Sequence, residues 1–271
     1  MKKLARILCF PAAFALLFCL AFCPAAHGAK AGVGAGPAGP RILKTFRVSG
    51  DISVAQLSAK TFVYSSLAQL EPYGRASFNG LIFVDDGQAF LIDLPPGSGQ
   101  TEELVGWIEE KLEARVAGAA LSHWRRQGMG GLAYLHSRHI PTYGLEKTIA
   151  LAGREGLAGP KHVFRKQLTH NFGSLEIQCL YLGGGPAEDE IVIWAPSEAV
   201  LFGSRLIREA AADSLGPLDG ADLRAWAASI DRLARDFPEA AVVVPGSGRI
   251  GGRGLLAHTR WLLARERAAR P

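Results

Sequence analysis

Strand-forming runs and amphipathic helices alternate along this chain in two similar halves, and this order limits the folds open to it. Alternating polar and apolar residues over 42–67 predict a meander of strands, and Asp86-Gly87 predicts a tight hairpin turn between two apolar strands. Thr101 is predicted to be the N-cap of a helix with one apolar face. Further strands are predicted over 174–204, followed by two helices with a strand between them. Hairpins mixed with helices in both halves predict an α/β fold of two packed sheets with helices outside.

Residues 1–28 have the order of a secretory signal. Three basic residues precede an uncharged run over 7–26, and the small residues around its end favour cleavage after Gly28. Residues 29–41 are mostly small and turn-forming and predict a flexible leader, which leaves 42–271 as one domain. We therefore expect a periplasmic or secreted protein with no membrane span after cleavage. An uncleaved anchor is the alternative, because the uncharged run is long enough to span a bilayer.

Charge and cysteine content exclude several classes of protein. The formal net charge of the 271 residues is +5, and it falls to +2 once the three basic residues of the signal are removed. So small a positive charge gives no case for a nucleic-acid partner. Three of the four cysteines lie in the signal, which leaves Cys179 alone in the mature chain. A single cysteine excludes an intrachain disulfide and a zinc cluster built from several cysteines.

Five segments carry a resemblance to a known family. They read FNGLIFVDDGQAFLIDLP, LSHWRRQGMGGLAYLHSRHIPTYG, EDEIVIWAPSEAVLFGS, LGPLDGADLRAWAASI and VVPGSGRIGG. In sequence and in order they closely resemble the secreted metallo-β-lactamases, and among these the broad-spectrum dizinc subclass, over residues 42–265. The resemblance implies an αββα four-layer sandwich of two mixed sheets with helices outside. It also implies an active site at the sheet edges and zinc-dependent hydrolysis of β-lactam amides.

The zinc-ligand set that this resemblance implies is retained at one position of six. In the family the ligands come from an H-x-H-x-D loop, a later histidine in a glycine-rich loop, a cysteine, and a histidine in a PGH turn. The first histidine is retained as His123. The other five positions hold Arg125, Gln127, Pro186, Arg205 and Ser247. Arginine is permanently cationic and has no lone pair to offer, and the neutral replacements are poor ligands for zinc. We therefore expect no cofactor and no metal site, although the family would imply zinc.

Cationic and polar side chains remain where the metals and the substrate would lie. Arg208 stands where the family has a lysine that meets the substrate carboxylate, and a guanidinium can bind a carboxylate through two parallel hydrogen bonds. The predicted ligand-binding pocket consists of His123, Trp124, Arg125, Gln127, Arg205, Arg208 and Ser247. This favours a non-catalytic pseudoenzyme that binds an anionic small molecule or a cell-envelope partner. Drift is the open alternative, with the arginines solvated or paired with Asp93 and Glu188.

Hydrolysis of a β-lactam, or of another amide or ester, is the alternative function. One route is zinc bound at an unexpected site. The other uses no metal and takes Ser247 as nucleophile, His123 as base and Asp93 as the acid that orients the histidine. No nucleophile-elbow signature surrounds Ser247, and the sequence does not indicate an oligomeric state.

Overall fold

The computed structural model describes residues 40–70 and 74–270. The predicted signal over 1–28 and most of the predicted leader over 29–41 lie outside the described residues. The strands are β1 (Lys44–Arg47), β2 (Ile52–Gln56), β3 (Thr61–Leu70), β4 (Gly74–Asp85), β5 (Gln88–Ile92), β6 (Arg115–Leu121), β7 (Thr142–Leu145), β8 (His162–Phe164), β9 (Gln167–Phe172), β10 (Leu175–Leu180), β11 (Val192–Ala195), β12 (Val200–Ser204) and β13 (Val242–Pro245). The helices are α1 (Ser98–Lys111), α2 (Arg126–Met129), α3 (Leu132–Ser137), α4 (Glu146–Arg154), α5 (Leu223–Asp236) and α6 (Gly254–Ala268). Among the described residues, no helix is long and apolar enough to cross a membrane.

The strands form two mixed sheets. In the first sheet β1 to β8 lie in chain order, antiparallel from β1 to β5 and parallel from β5 to β8. In the second sheet the order is β13-β12-β11-β10-β9, and β12 and β13 form its parallel pair. The hairpin forms where the sequence predicts it, because Asp86 and Gly87 alone join β4 to β5, with φ angles of 48° and 68°. Positive φ at both central residues matches the twist of the flanking strands.

Helix α1 begins four residues before the predicted position. Gly97 precedes the helix in an extended conformation, and Thr101 lies buried in the first turn. There the Thr101 hydroxyl donates a hydrogen bond to the Gly97 carbonyl oxygen at 3.0 Å. Threonine both caps helices and bonds back to the preceding turn, so its side chain alone does not locate the first residue of a helix.

Three buried apolar layers hold the sheets and helices together. The middle layer lies between the sheets and includes Phe83 and Phe90 of the first sheet and Ile177 and Phe202 of the second. The other two layers lie on the outer faces, one beneath α1 and α3 and one beneath α5 and α6. Full burial of each large apolar side chain stabilises the fold by about 1.5–3 kcal/mol. The order helix, sheet, sheet, helix confirms the αββα sandwich.

The strands that carry the candidate site end at one edge of the sandwich. β5 and β6 are parallel in the first sheet, and β12 and β13 are parallel in the second, so the carboxyl ends of each pair meet. Asp93 directly follows β5, His123 lies just beyond β6, Arg205 follows β12, and Ser247 lies just beyond β13. Residues that are far apart in sequence are thereby brought to one place.

A substitution at Gly80 of β4 can test how closely the strands of the first sheet are packed. A methyl group at this position would overlap the Tyr64 ring and the carbonyl oxygen of Ile92. We expect Gly80→Ala to lower the free energy of unfolding by about 1–3 kcal/mol, because a ring and a backbone atom must both move. Gly50→Ala is the matched control, since no atom lies within 4 Å of the added methyl. Urea denaturation measures both variants, and equal losses would contradict this account of the packing.

Candidate functional site

A cavity of about 440 Å³ opens where these strand ends meet. Six of the seven predicted pocket residues line it, namely His123, Arg125, Gln127, Arg205, Arg208 and Ser247. The seventh, Trp124, lies outside the lining, and the Arg125 guanidinium is 4.9 Å from the centre of one of its rings. The fold thus gathers most of the basic and polar residues that the sequence singled out.

The cavity wall also contains residues that the sequence analysis did not select. Leu70, Phe78 and Ile207 line it with apolar side chains, and Asn79 and Ser204 add polar atoms. Both polar residues belong to segments that carry the family resemblance, FNGLIFVDD and EAVLFGS. Their place near the site was a signal that could have identified them.

Asp93 is the buried acid beneath the cavity. Its carboxylate accepts hydrogen bonds from the backbone N–H and the hydroxyl of Ser122, both at 2.7 Å. The hydroxyl oxygens of Ser122 and Ser204 are in turn 2.6 Å apart. Burial raises the pKa of Asp93 to about 7, although the hydrogen bonds from Ser122 act to lower it. The carboxyl group therefore exchanges its proton near neutral pH.

The two arginines at the implied ligand positions have partners other than those expected. Arg205 forms an ion pair with Glu190 at 3.1 Å, and Glu190 is fully buried. Arg125 donates to the backbone carbonyl oxygen of Asp219 at 3.2 Å. In the described structure neither arginine is bonded to the acids that the drift alternative assigned to it. Arg205 instead contacts a buried acid that the sequence analysis had not considered.

Arg208 has no acceptor for its guanidinium among the described residues. Its backbone N–H donates to the Thr259 hydroxyl at 2.9 Å, while its buried Nε has no partner. Burial lowers the pKa of Arg208 and of Arg125, and the positive charge of Arg205 lowers both further. Three guanidiniums crowded around one cavity in this way would be stabilised by an anion.

Buried polar atoms without a hydrogen-bond partner are concentrated at this site. Within residues 40–70 and 74–270 they are His123 Nδ1, Arg125 Nε, Asp189 Oδ1, Glu190 Oε2 and Arg208 Nε. Buried polar groups nearly always have a partner, and each one without a partner costs free energy. Three of these atoms belong to cavity-lining residues, and Glu190 is the ion-pair partner of a fourth lining residue. The concentration indicates a place built to meet a ligand rather than a closed core.

The residues of the metal-free alternative are not joined to one another by hydrogen bonds in the described structure. Ser247 is exposed on the turn after β13, and in the described structure no hydrogen bond joins it to His123. The Asp93 carboxylate is bonded to Ser122, while His123 Nδ1 has no partner. Burial, followed by the charge of Arg205, lowers the pKa of His123 to about 3. The imidazole is therefore neutral and a weak base at physiological pH.

The side chains around His123 do not fit a zinc ion. In the part of the chain that the structure describes, no three His, Cys, Asp or Glu side chains form a group that could hold a metal. Two of the implied ligand positions carry the guanidiniums of Arg125 and Arg205, which repel a dication. A structural or catalytic zinc site needs at least three protein ligands, so this arrangement supplies too few.

Known proteins resemble this chain over most of its length, although no family model matches it. A metallo-beta-lactamase type 2 from Bacteroides fragilis is 40% identical over 220 residues, which cover 81% of this chain and 88% of that protein. One from Bacillus cereus is 31% identical over 215 residues, 79% of this chain and 84% of that protein. The solved structure of a metallo-beta-lactamase from Pontibacter korlensis matches with a TM-score of 0.76 at 31% identity, covering 79% of this chain and 99% of that one.

These comparisons overturn the prediction of no cofactor. The relatives are named metallo-β-lactamases, and such relatives point to zinc, so the prediction is wrong. Its error was to decide the cofactor from five side chains, because metal affinity also depends on the surrounding residues that orient ligands and set the local charge. The same names favour the hydrolase alternative over the non-catalytic interpretation.

The raised pKa of Asp93 predicts that the folded protein becomes less stable as the pH rises. Because its pKa is raised from 3.8 to about 7 in the folded protein, its contribution to stability is complete below about pH 4 and is lost as the pH rises through about 7. Asp93→Asn removes this titration and keeps an acceptor for the Ser122 N–H. Relative to this variant, we expect wild-type protein to lose up to about 1.4 kcal/mol of unfolding free energy per pH unit in that window. Urea denaturation at several pH values measures the difference, and parallel profiles would contradict it.

Proposed function

The chain belongs to the metallo-β-lactamase family, and we propose that its cavity binds a small carboxylate of the β-lactam class. The observation that carries this proposal is the convergence of Arg125, Arg205 and Arg208 on one cavity. Positive charge in a concave, half-buried site selects anions of small size. A carboxylate is the anion that β-lactams share, and the family relation makes this class the first to test.

Arg208 is the anchor for the ligand carboxylate in this proposal. Its guanidinium has no acceptor among the described residues, whereas Arg205 is engaged by Glu190 and Arg125 by a backbone carbonyl. A planar guanidinium donates two parallel N–H bonds to a carboxylate, and such charge-assisted bonds are stronger than neutral ones. The other two arginines supply positive potential around the rest of the ligand.

The remaining cavity wall suits a small and partly apolar body. Leu70, Phe78 and Ile207 contribute apolar surface to it. A volume of about 440 Å³ lies within the range of sites that take small molecules. A cell-envelope macromolecule would need a wider contact surface, so the small molecule is the favoured ligand.

Loss of the Arg208 guanidinium should weaken binding. We expect Arg208→Gln to reduce the affinity for benzylpenicillin by about tenfold or more in calorimetric titration, because a charge-assisted hydrogen bond is lost. Added salt should weaken wild-type binding as well. Arg115→Gln is the matched control, since this exposed arginine begins β6 at the end opposite His123 and its loss changes net charge equally. Equal affinities of the two variants would refute the role of Arg208.

Hydrolysis of the bound amide is a second candidate function. The observation that favours it is the name shared by the relatives, all of which are called β-lactamases. Zinc is the cofactor to which that family relation points. This chain's own residues supply recognition and orientation, with the carboxylate held at Arg208 and the amide directed towards the buried acids beneath the cavity.

Turnover and metal content need to be measured on the same preparation. We expect a chromogenic cephalosporin to be opened by protein prepared with zinc, and elemental analysis reports the zinc that remains after desalting. Turnover abolished by a chelator would support the zinc route. Turnover that survives the chelator would assign the chemistry to protein side chains. Binding without turnover would contradict hydrolysis and leave recognition as the function.

We also propose that the protein is exported and that its signal is cleaved. The order of basic, uncharged and small residues over 1–28 supports export and cleavage after Gly28. The intact mass of protein recovered from the periplasm or the medium would then correspond to a chain that begins at Ala29. A full-length chain recovered with the membrane fraction would contradict cleavage.

A further inference from the structure

A shallow groove lies between α5 and α6, on the face of these helices that is turned away from the second sheet. Its volume is about 400 Å³, and its apolar lining includes Ala234 of α5 and Ala257 and Ala264 of α6. Trp261 lines the groove as well, and its exposed fraction of 54% is the largest of any large apolar residue in the described part of the chain. Exposed apolar surface of this kind, with polar residues around it, is typical of a place where a partner binds.

Arginine side chains surround Trp261. Arg253 and Arg260 line the same groove, and the guanidinium of Arg265 lies over the indole, 4.7 Å from the centre of one of its rings. Arg260 forms an ion pair with Asp231 at 3.1 Å. Among the described residues, Arg253 and Arg265 donate hydrogen bonds only to backbone carbonyl oxygens. Because a carbonyl oxygen carries no formal charge, the positive charges of these two arginines remain available to an anion outside the protein.

Positive charge is concentrated in the part of the chain that forms this surface. Residues 222–271 contain nine arginines and five acidic residues, whereas residues 41–221 contain 17 basic and 20 acidic residues. The segment that includes α5 and α6 is therefore net positive, and the rest of the domain is net negative. Such an asymmetric charge distribution attracts an anionic partner and orients the protein so that the positive side meets it.

A phospholipid bilayer with anionic headgroups is the partner that matches both the exposed tryptophan and the arginines. Tryptophan is enriched at the boundary between headgroups and acyl chains, because its ring is apolar while its N–H is polar. Arginine can keep its guanidinium beside the lipid phosphates while its apolar stem covers the chains below. A second copy of this chain would instead place arginines against arginines, and like charges that face each other across an interface are unfavourable.

Only one side of α6 is available for such contact. Leu255 and Leu262 are buried in the apolar layer beneath α5 and α6 and cannot leave it while the protein stays folded. Trp261, Ala257 and Ala264 are exposed on the helix. The apolar strip that remains is narrow, so the contact with lipid is shallow and depends on attraction between the arginines and anionic headgroups.

We propose that the surface around Trp261 binds the anionic surface of a phospholipid bilayer and holds the folded protein at the membrane. The attachment is peripheral, with Trp261 in the headgroup region and Arg253 and Arg265 beside lipid phosphates. It goes beyond the proposed recognition of a small carboxylate, because the residues that line this groove do not line the candidate cavity. It also does not need the predicted signal over 1–28, so it acts on the cleaved chain.

Co-sedimentation with lipid vesicles tests this proposal. The chain beginning at Ala29 is mixed with vesicles of phosphatidylcholine alone or with vesicles in which about a third of the lipid is phosphatidylglycerol. We expect binding to the anionic vesicles to be about tenfold or more stronger, and added salt to weaken it, because salt screens the attraction between arginines and phosphates. Tryptophan emission should shift to shorter wavelength on binding, because the exposed indole of Trp261 enters a less polar environment.

Two substitutions separate the apolar contribution from the electrostatic one. Trp261→Ala should lose the emission shift and weaken binding about tenfold, whereas Val163→Ala, at a residue of β8 with an exposed fraction of 51%, should bind like wild type. Arg265→Gln should weaken binding about fivefold. Arg47→Gln is its matched control, because this exposed arginine of β1 also donates to a backbone carbonyl oxygen and its loss changes the net charge equally.

Several results would overturn the inference. They are equal binding to the two kinds of vesicle, binding to neither, and unchanged binding by Trp261→Ala or Arg265→Gln. Sedimentation velocity without lipid reports self-association, and a dimer that Trp261→Ala dissociates would assign the surface to a second copy of the chain instead. Calorimetric titration of benzylpenicillin into Trp261→Ala should match wild type, so failure of the membrane inference and failure of the proposed recognition give different results.

Discussion

The buried Asp93 carboxylate is the interaction on which the candidate site depends. Asp93 follows β5, its partner Ser122 follows β6, and the Ser122 hydroxyl contacts Ser204 at the end of β12 in the other sheet. The carboxylate thus joins the ends of β5 and β6, and the Ser122 hydroxyl extends the connection to the second sheet at the floor of the cavity. Asn79 adds a second tie, because its amide donates to two carbonyl oxygens at the turn after β13.

Charge balance is the second constraint on the site. Three buried acids lie close together, and burial raises the pKa of Asp93 to about 7, of Asp189 to about 6 and of Glu190 to about 8. Arg205 offsets part of this cost through its ion pair with Glu190. Removing one partner of such a pair leaves a buried charge without compensation, which is far more costly than the pair itself is stabilising. The arginines are therefore part of the structural support of the cavity as well as its positive lining.

This protein has the fold of its family, but side chains at its candidate site differ from those that the resemblance implies. Similarity over 220 residues to a metallo-beta-lactamase establishes the family, and the sandwich that it implies is the one observed. The prediction of no cofactor came from five substituted positions, and the relatives contradict it. Two of those positions hold Arg125 and Arg205, which line the cavity together with Arg208, and each guanidinium brings positive charge and several hydrogen-bond donors to it.

The sequence by itself determined the order of elements, the two-sheet architecture and the basic character of the pocket. These properties follow from local periodicity, from turn residues such as Asp86 and Gly87, and from side chains whose charge does not depend on context. It missed β8, which has only three residues, and β9, whose residues QLTHNF include few apolar side chains, and it misplaced the start of α1. The tertiary structure alone decided that Arg205 pairs with Glu190 and that Ser204 reaches Asp93 through Ser122. Those last three residues are separated by 29 and 82 positions in the chain, and which of them meet is decided only when the two sheets pack together.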